Sequence, residues 1–531
     1  MSIDDTFPYA SQRMPVMARN VVATSQPLAA QAGLRMLQLG GTAVDAAIAA
    51  AAVLTVVEPT GNGLGSDAFA LVWDAQRLHA LNASGRSPAA LRPERFDALD
   101  AVPYTGWDSV TVPGAVSGWI ALHERFGSLP LSTLLSDAVR YADEGFAVTP
   151  NIARAWALSR RRLGGRADWS AAFAPGDRTP AAGEVWRFGA QARTLSAIAE
   201  THGEAFYRGP LADAMVEHAR SEGALLTHDD LAAHEADWVE PIATGYGGVE
   251  LHEIPPNGQG LAALIALGIL RHRPDLHDHP LDHPAWLHLQ IEAVKLALAD
   301  AYRWVADPGH MRDVGVDDLL DDDYLARRAA LIDPARAADP GHGTPADSGT
   351  VYLTCGDASG RMVSFIQSNY TGFGSGVVVP DTGISLQNRG AGFVLTPGHP
   401  NRVGGGKRPF HTIIPAFLTE GGAARCSFGV MGGPMQAQGH VQMTLRLVDH
   451  GQNPQAASDA PRWRAGEGRA LALEDRTPAS TVRALAELGH DVSLTPPEQA
   501  FGFGGAQLLW RDGEHYVAGS DHRKDGQAVG Y

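Results

Sequence analysis

The sequence predicts a layered α/β protein, and three observations carry that prediction. Its 531 residues are 44% hydrophobic and 19% charged, enough apolar material for one large core or two or three ordinary ones. It holds 60 Gly and 34 Pro against 7% aromatics, a composition of many turns and close backbone approaches between stacked elements. Helical spacing dominates the earlier part of the chain, whereas short strands between glycine turns dominate its last third.

Taken in order, residues 26–39 have helical spacing and stop at the Gly40-Gly41 pair. An Ala-rich run from Ala43 to Val57 follows, with Asp45 in its first turn to complement the helix dipole. That run is too short to cross a bilayer and carries a charge, so it reads as a buried helix. The turn Gly61-Asn62-Gly63-Leu64-Gly65 leads into an apolar strand from Ala68 to Trp73. As a phosphate cradle it fails, because it lacks a P-loop lysine and the strand-then-helix order of a dinucleotide fingerprint.

Residues 120–236 read as mostly helical, with Thr227 and Asp230 spaced as a capping box, and a long helix is expected from Pro284 to Val305. The segment 340–349, PGHGTPADSG, is small, polar and turn-prone, and is the best internal boundary. Beyond it, strands are expected at 350–355, 362–367, 376–379 and 412–418, with helices at 438–448 and 479–488. No internal repeat is present.

A formal charge of −17 and a pI near 5.6 argue against a nucleic-acid or anionic-membrane partner. Two cysteines, Cys355 and Cys426, are too few for a disulfide framework and suit a reducing compartment, although they leave one bridge open. The start, MSIDDTFPYASQRMPVMARN, has no basic segment followed by an apolar one, so the cytoplasm is the expected location.

For chemistry, His277, His279, His283 and His288 crowd one region, and His288 with Glu292 has i,i+4 spacing that suits two ligands on one helix face. Pro280 and Pro284 interrupt the segment and no HExxH or paired cysteine accompanies it, so surface and capping roles are expected. The acidic run 317–323 lacks the alternating ligands and central glycine of a calcium loop and reads as a solvated helix start. No GxSxG elbow supports a Ser-His-Asp hydrolase. No metal, flavin or nucleotide cofactor is implied.

What remains is Gly349-Thr350, where a flexible segment meets a strand. If the Thr350 hydroxyl attacked the Gly349 carbonyl and the ester hydrolysed, Thr350 would become a new N-terminus. Its α-amine, with a reference pKa of about 8, could then act as general base beside its own hydroxyl. An oxyanion hole would still be required, and Gly432-Gly433 offers accessible backbone, though alone that pair is only a turn.

From about Val22 to Tyr531 the chain resembles the γ-glutamyltranspeptidase family in an ordered succession of signposts. They are AAQAGLRMLQLGGTAVDAAIA, EPTGNGLGSDAF, VPGAVSGW, DEGFAV, AFYRGPLA, LTHDDL and PPNGQG, then SGTVYLTCGDASGRMVSF, FGSG, GISLQNRGAGF, GGGKRPFHTIIPA and VMGGPMQ. The resemblance implies an α+β fold, a four-layer αββα N-terminal-nucleophile hydrolase sandwich with two stacked antiparallel sheets. It implies one intertwined catalytic domain made from a large chain, residues 1–349, and a small chain, residues 350–531.

By the same resemblance Thr350 is the nucleophile, Gly432 and Gly433 form the oxyanion hole, and Ser368 orients the nucleophile. Arg86 falls where the family holds a substrate carboxylate, a task suited to a bidentate guanidinium, with a structural ion pair as the alternative. Tyr370 replaces an amide side chain of typical transpeptidases, and His411 and Thr412 stand where those enzymes carry two small hydroxyl residues. In LQNRGAGF, Arg389 and Gly392 occupy the places of the amide and acid that recognise a donor's α-amino group. Losing an acid and gaining a cation favours an anionic substrate without an ammonium and makes glutathione a poor fit.

The resulting expectation is an autoproteolytic amidohydrolase of the oxamate amidohydrolase-like branch, with Arg86 and Arg389 gripping a small carboxylate. A γ-glutamyl or glutaryl acylase, and an uncleaved carboxylate-binding protein, are the alternatives. The expected partners are a small amide and the two chains of one precursor, and a homo-oligomer is left open.

Overall fold

Two seven-stranded antiparallel sheets lie face to face, and helices cover the outer face of each, giving a four-layer αββα sandwich. The computed structural model describes residues 12–340 and 349–531. Most of the expected linker, and the first eleven residues of the N-terminal stretch, lie outside the described residues.

One sheet runs Gln527–Gly530, Val21–Thr24, Gly349–Gly356, Met362–Tyr370, Asp67–Trp73, Leu78–Ala83, Asp237–Val239. The other runs Val16–Ala18, His515–Ser520, Ala506–Asp512, Ala423–Val430, Ala416–Glu420, Val249–Glu253, Ile242–Tyr246. Half of these strands precede residue 340, so the expectation that strands concentrate in the last third is corrected. The early strands are short or flanked by long helical insertions, which hides their period in the sequence.

Strand alternation assigns each side chain to a layer. On Gly349–Gly356, Val351, Leu353 and Cys355 face the first helix layer, while Tyr352 points between the sheets. On Ala416–Glu420, Ala416 and Leu418 face the second helix layer and Phe417 points inward. The inter-sheet core is completed by Phe69, Leu71, Trp73, Ile366, Leu509 and Tyr516. Cys355 and Cys426 therefore sit on opposite outer faces as free thiols, and burial pushes both up.

The Ala-rich helix Ala43–Val57 is buried along its whole length, as a helix apolar all round must be. Thr42 and Asp45 form a capping box at its start, and Asp45 also accepts from the Ser128 N–H and hydroxyl. Thr227 and Asp230 form the expected capping box, whereas the one at Thr42 was not anticipated. Helices Pro27–Gln38, Pro284–Trp304 and Ala479–Glu487 match their expected spans, and Met435–Val448 begins about one turn earlier than expected.

Two expected strands are corrected. The segment 376–379 pairs only over Val378–Val379, because Gly376 has φ +75 and turns the chain. The strand expected at 412–418 begins at Ala416, after Pro415, which has no N–H to give a ladder. Residues 411–414 are thereby left out of the sheet at the end of the sandwich. Among the described residues no helix is long and apolar enough to cross a membrane.

Candidate active site

Thr350 is the second residue of the strand Gly349–Gly356 and is fully buried. The register with Met362–Tyr370 slips between Gly349 and Val351, where Gly349 pairs Tyr370 and Val351 pairs Gln367. Such a bulge re-aims the side chains at its centre. The Thr350 hydroxyl donates to Ser368 Oγ at 3.2 Å, and Ser368 Oγ accepts the Tyr370 N–H at 2.8 Å. Tyr370 sits at φ +78, a backbone cost of about 1–3 kcal/mol for a residue with a side chain.

From the other sheet, the Ala423–Val430 strand runs into Met431-Gly432-Gly433 and then into the helix Met435–Val448. Gly432 and Gly433 have φ +115 and +58, and among the described residues neither donates its N–H to a partner. The helix N-terminus behind them adds positive potential. On its first turn, Gln436 Nε2 approaches Thr350 Oγ1 at 3.5 Å while its Oε1 accepts the Ile414 N–H at 2.9 Å. Gln259 Nε2 donates to the carbonyls of Thr412, at 2.5 Å, and Gly433, at 2.8 Å, so one amide fixes both walls.

A Cβ at Gly432 would meet Gly504 Cα at 3.0 Å in a conformation that L residues rarely adopt. Gly432→Ala is accordingly expected to lose about 1–3 kcal/mol of stability. It should also lower kcat by about 10²–10³-fold with little change in KM, as seen in thermal melts and steady-state kinetics.

Arg389 is 1% exposed. Its Nη1 donates to Thr412 Oγ1 at 2.8 Å and its guanidinium lies 4.7 Å from the Tyr370 ring centre. Its Nε and Nη2 are buried with no hydrogen-bond partner among the described residues. Burial pulls it down to about 10, with Asp67 and Tyr370 opposing, so it stays cationic at neutral pH. Two unused donors on a buried cation are costly unless something anionic meets them.

His411 is fully buried, with Nε2 3.0 Å from Asp67 Oδ2 and Nδ1 accepting the Ile413 N–H at 3.3 Å. Burial, then Arg389 and Arg408, push it well below its usual value, so it is neutral. Asp67 is raised to about 7 by burial, against Arg389 and the N–H groups of Gly85 and Gly114.

Of the residues expected from sequence, Thr350, Ser368, Tyr370, Arg389, Thr412, His411, Gly432 and Gly433 are thus joined into one network. Among the described residues Arg86 is not linked to it by a hydrogen bond or ion pair. Its side chain is 48% exposed and pairs with Asp307 Oδ2 at 2.8 Å, with a second bond to the Gly406 carbonyl.

Gln259, Gln436 and Asp67 were not singled out as site residues. Each lies inside a motif that was, PPNGQG, VMGGPMQ and GSDAF, but only tertiary contacts reveal what their side chains meet.

The histidine-rich region yields one cluster, His288, Glu292 and His490, whose ligand atoms lie within 4.8 Å of one another. His288 bonds His490 at 2.8 Å and the Asp333 carbonyl at 2.9 Å, and Glu292 pairs with Lys295 and accepts the Ala338 N–H. With Lys295 at 2.8 Å from the carboxylate, the charge already present opposes a dication. The acidic run caps two short helices, Asp321 accepting the Tyr324 N–H.

The family profile Gamma-glutamyltranspeptidase matches residues 29–531. The chain is 36% identical to the oxamate amidohydrolase proenzyme of Klebsiella pneumoniae over 97% of its length and 99% of that protein's. It is 35% identical to the glutathione hydrolase-like YwrD proenzyme of Bacillus subtilis over 97% of its length and all of that protein. The crystal structure of cephalosporin acylase from Bacillus halodurans superposes with a TM-score of 0.95 at 46% identity, over 100% of this chain and 99% of the other. The chain belongs to the γ-glutamyltranspeptidase family and is a threonine-nucleophile amidohydrolase of that family.

Proposed function

We propose that the precursor cleaves itself between Gly349 and Thr350, and that the freed Thr350 hydrolyses the amide of a small substrate bearing a carboxylate, of the oxamate type. The observation that carries this reading is Arg389, a buried cation with two unused donors beside Tyr370 and Thr412.

In processing, Thr350 Oγ adds to the Gly349 carbonyl, the C–N bond breaks to leave an ester, and water hydrolyses it, separating residues 1–349 from 350–531. The new α-amine takes the hydroxyl proton as Oγ adds to the substrate amide. Gly432 and Gly433 supply N–H groups for the oxyanion, and Ser368 and Gln436 hold the hydroxyl in line. The ammonium then protonates the leaving nitrogen, ammonia departs, and water releases the acid from the ester on Thr350. With oxamate the sum is oxamate plus water giving oxalate plus ammonium.

Arg389 places the substrate carboxylate, and Gly392 leaves no acid to hold an ammonium, which disfavours a γ-glutamyl donor. Arg86, half-exposed, is a second carboxylate ligand only if it leaves Asp307. The likeness to a cephalosporin acylase favours a glutaryl-type amide as the second reading, since that acyl group also ends in a carboxylate. Purified, processed protein is expected to release ammonia from oxamate. Absence of ammonia from oxamate and related monoamides, together with turnover of a chromogenic glutaryl amide, would move the second reading to the front.

A further inference from the structure

The Arg389 pocket contains a second buried charge that the mechanism above does not use. Asp67, at the start of the strand Asp67–Trp73, is fully buried. Its Oδ1 accepts the N–H groups of Gly85 and Gly114 at 3.2 Å each, and its Oδ2 meets His411 Nε2 at 3.0 Å. His411 precedes Thr412, the residue that Arg389 bonds. The charged and titratable groups around Asp67 are His411, Arg389, Arg408 and Tyr207, with neutral His234 beside Gly114. Arg408 is already paired to Asp237 at 2.6 Å. Among the described residues, the remaining cation acting on Asp67 without a carboxylate partner is Arg389.

We propose that Asp67 is the resident counter-ion of the Arg389 pocket, and that it takes up one proton when a substrate carboxylate occupies Arg389. The inference rests on the carboxylate-amide reading of the site. The empty pocket holds one positive and one negative charge, and a bound monoanion would leave one uncompensated negative charge in a water-poor space. Once the substrate carboxylate has taken the Arg389 donors, the field that kept Asp67 ionised is cancelled, and a proton from solvent restores neutrality. Asp67 holds that proton as a neutral carboxylic acid, its Oδ2 still accepting the His411 Nε2–H. Asp67 thereby sets the charge that the pocket accepts to one, which favours monoanionic amides over dianions.

The sign follows from linkage. Asp67 is poised at about 7 in the empty site and moves higher with an anion bound, so binding takes up a proton above pH 7 and affinity falls as pH rises. Pyruvate, which replaces the amide nitrogen of oxamate by a methyl group, serves as the probe. Calorimetry of the processed enzyme at pH 8 in buffers of different ionisation enthalpy is expected to show uptake of about one proton, with Kd rising up to about tenfold per pH unit above 7.

The Thr350 α-amine can also bind protons, and Asp67→Asn separates the two. The variant is expected to bind pyruvate with that uptake lost and Kd nearly flat with pH. Difference infrared spectra of the wild type should show a buried carboxylic-acid C=O band on adding pyruvate, a signal that an amine cannot give and that needs no variant. Pyruvate binding without the band, or with uptake unchanged in Asp67→Asn, overturns the proposal and leaves the carboxylate reading standing. No pyruvate binding, and no competition with turnover, overturns both.

Discussion

Replacing Arg389 with Gln is expected to reduce kcat/KM for a carboxylate-bearing amide by about 10²–10³-fold, the effect of removing about 3–4 kcal/mol of charge-assisted binding at a desolvated site. The guanidinium is 1% exposed and two of its nitrogens are unmatched, so the loss falls on substrate contact. Arg389→Met should lose activity at least as severely while melting at the same temperature as the wild type or higher, because a buried cation is exchanged for an apolar chain of similar length. Loss of activity with unchanged or raised stability separates a ligand-facing cation from a structural one. Unaltered turnover in Arg389→Gln would remove the anionic-pocket account.

The second large effect is at Thr350. Thr350→Ala should leave the precursor intact and lower turnover by at least about 10⁴-fold, the scale seen when a catalytic nucleophile is deleted. Thr350→Ser keeps the hydroxyl but not the methyl group that fixes its rotamer in the bulge, so it should still process, more slowly, and retain activity within about 10²-fold of the wild type. Mass spectrometry of the purified variants reads processing, and ammonia release reads turnover. Intact wild-type precursor that is nonetheless active would contradict the shared role of this residue.

The architecture was legible where the local signal was strong. The buried helix Ala43–Val57, the capping box of Thr227 and Asp230, and the strands expected from Ala68 and from Thr350 follow from period, caps and glycine punctuation. The layer order was not available from period, because both sheets interleave strands from either side of residue 340. It came instead through the ordered family motifs. The break at Pro415 hid in an apolar run that reads as a strand, and the four residues before it are the ones the site uses.

The site itself divides in the same way. Thr350, Ser368, Gly432, Gly433 and Arg389 could be named from motifs, since their positions within short signposts fix them. Arg86 could be named too, but its exposure and its bond to Asp307 place it differently from Arg389. Asp67, Gln259 and Gln436 carried no signal of their own. A carboxylate becomes a pocket counter-ion, and an amide a clamp on two carbonyls, only when segments 344 or 153 residues apart meet.

The measurement that tests the central claim most directly is denaturing electrophoresis of the purified protein with N-terminal sequencing of its fragments, beside Thr350→Ala. The account predicts two wild-type fragments, the smaller beginning Thr-Val-Tyr-Leu-Thr, and one intact chain of 56.1 kDa in the variant. An intact wild-type chain, or cleavage at another bond that persists in the variant, would contradict it.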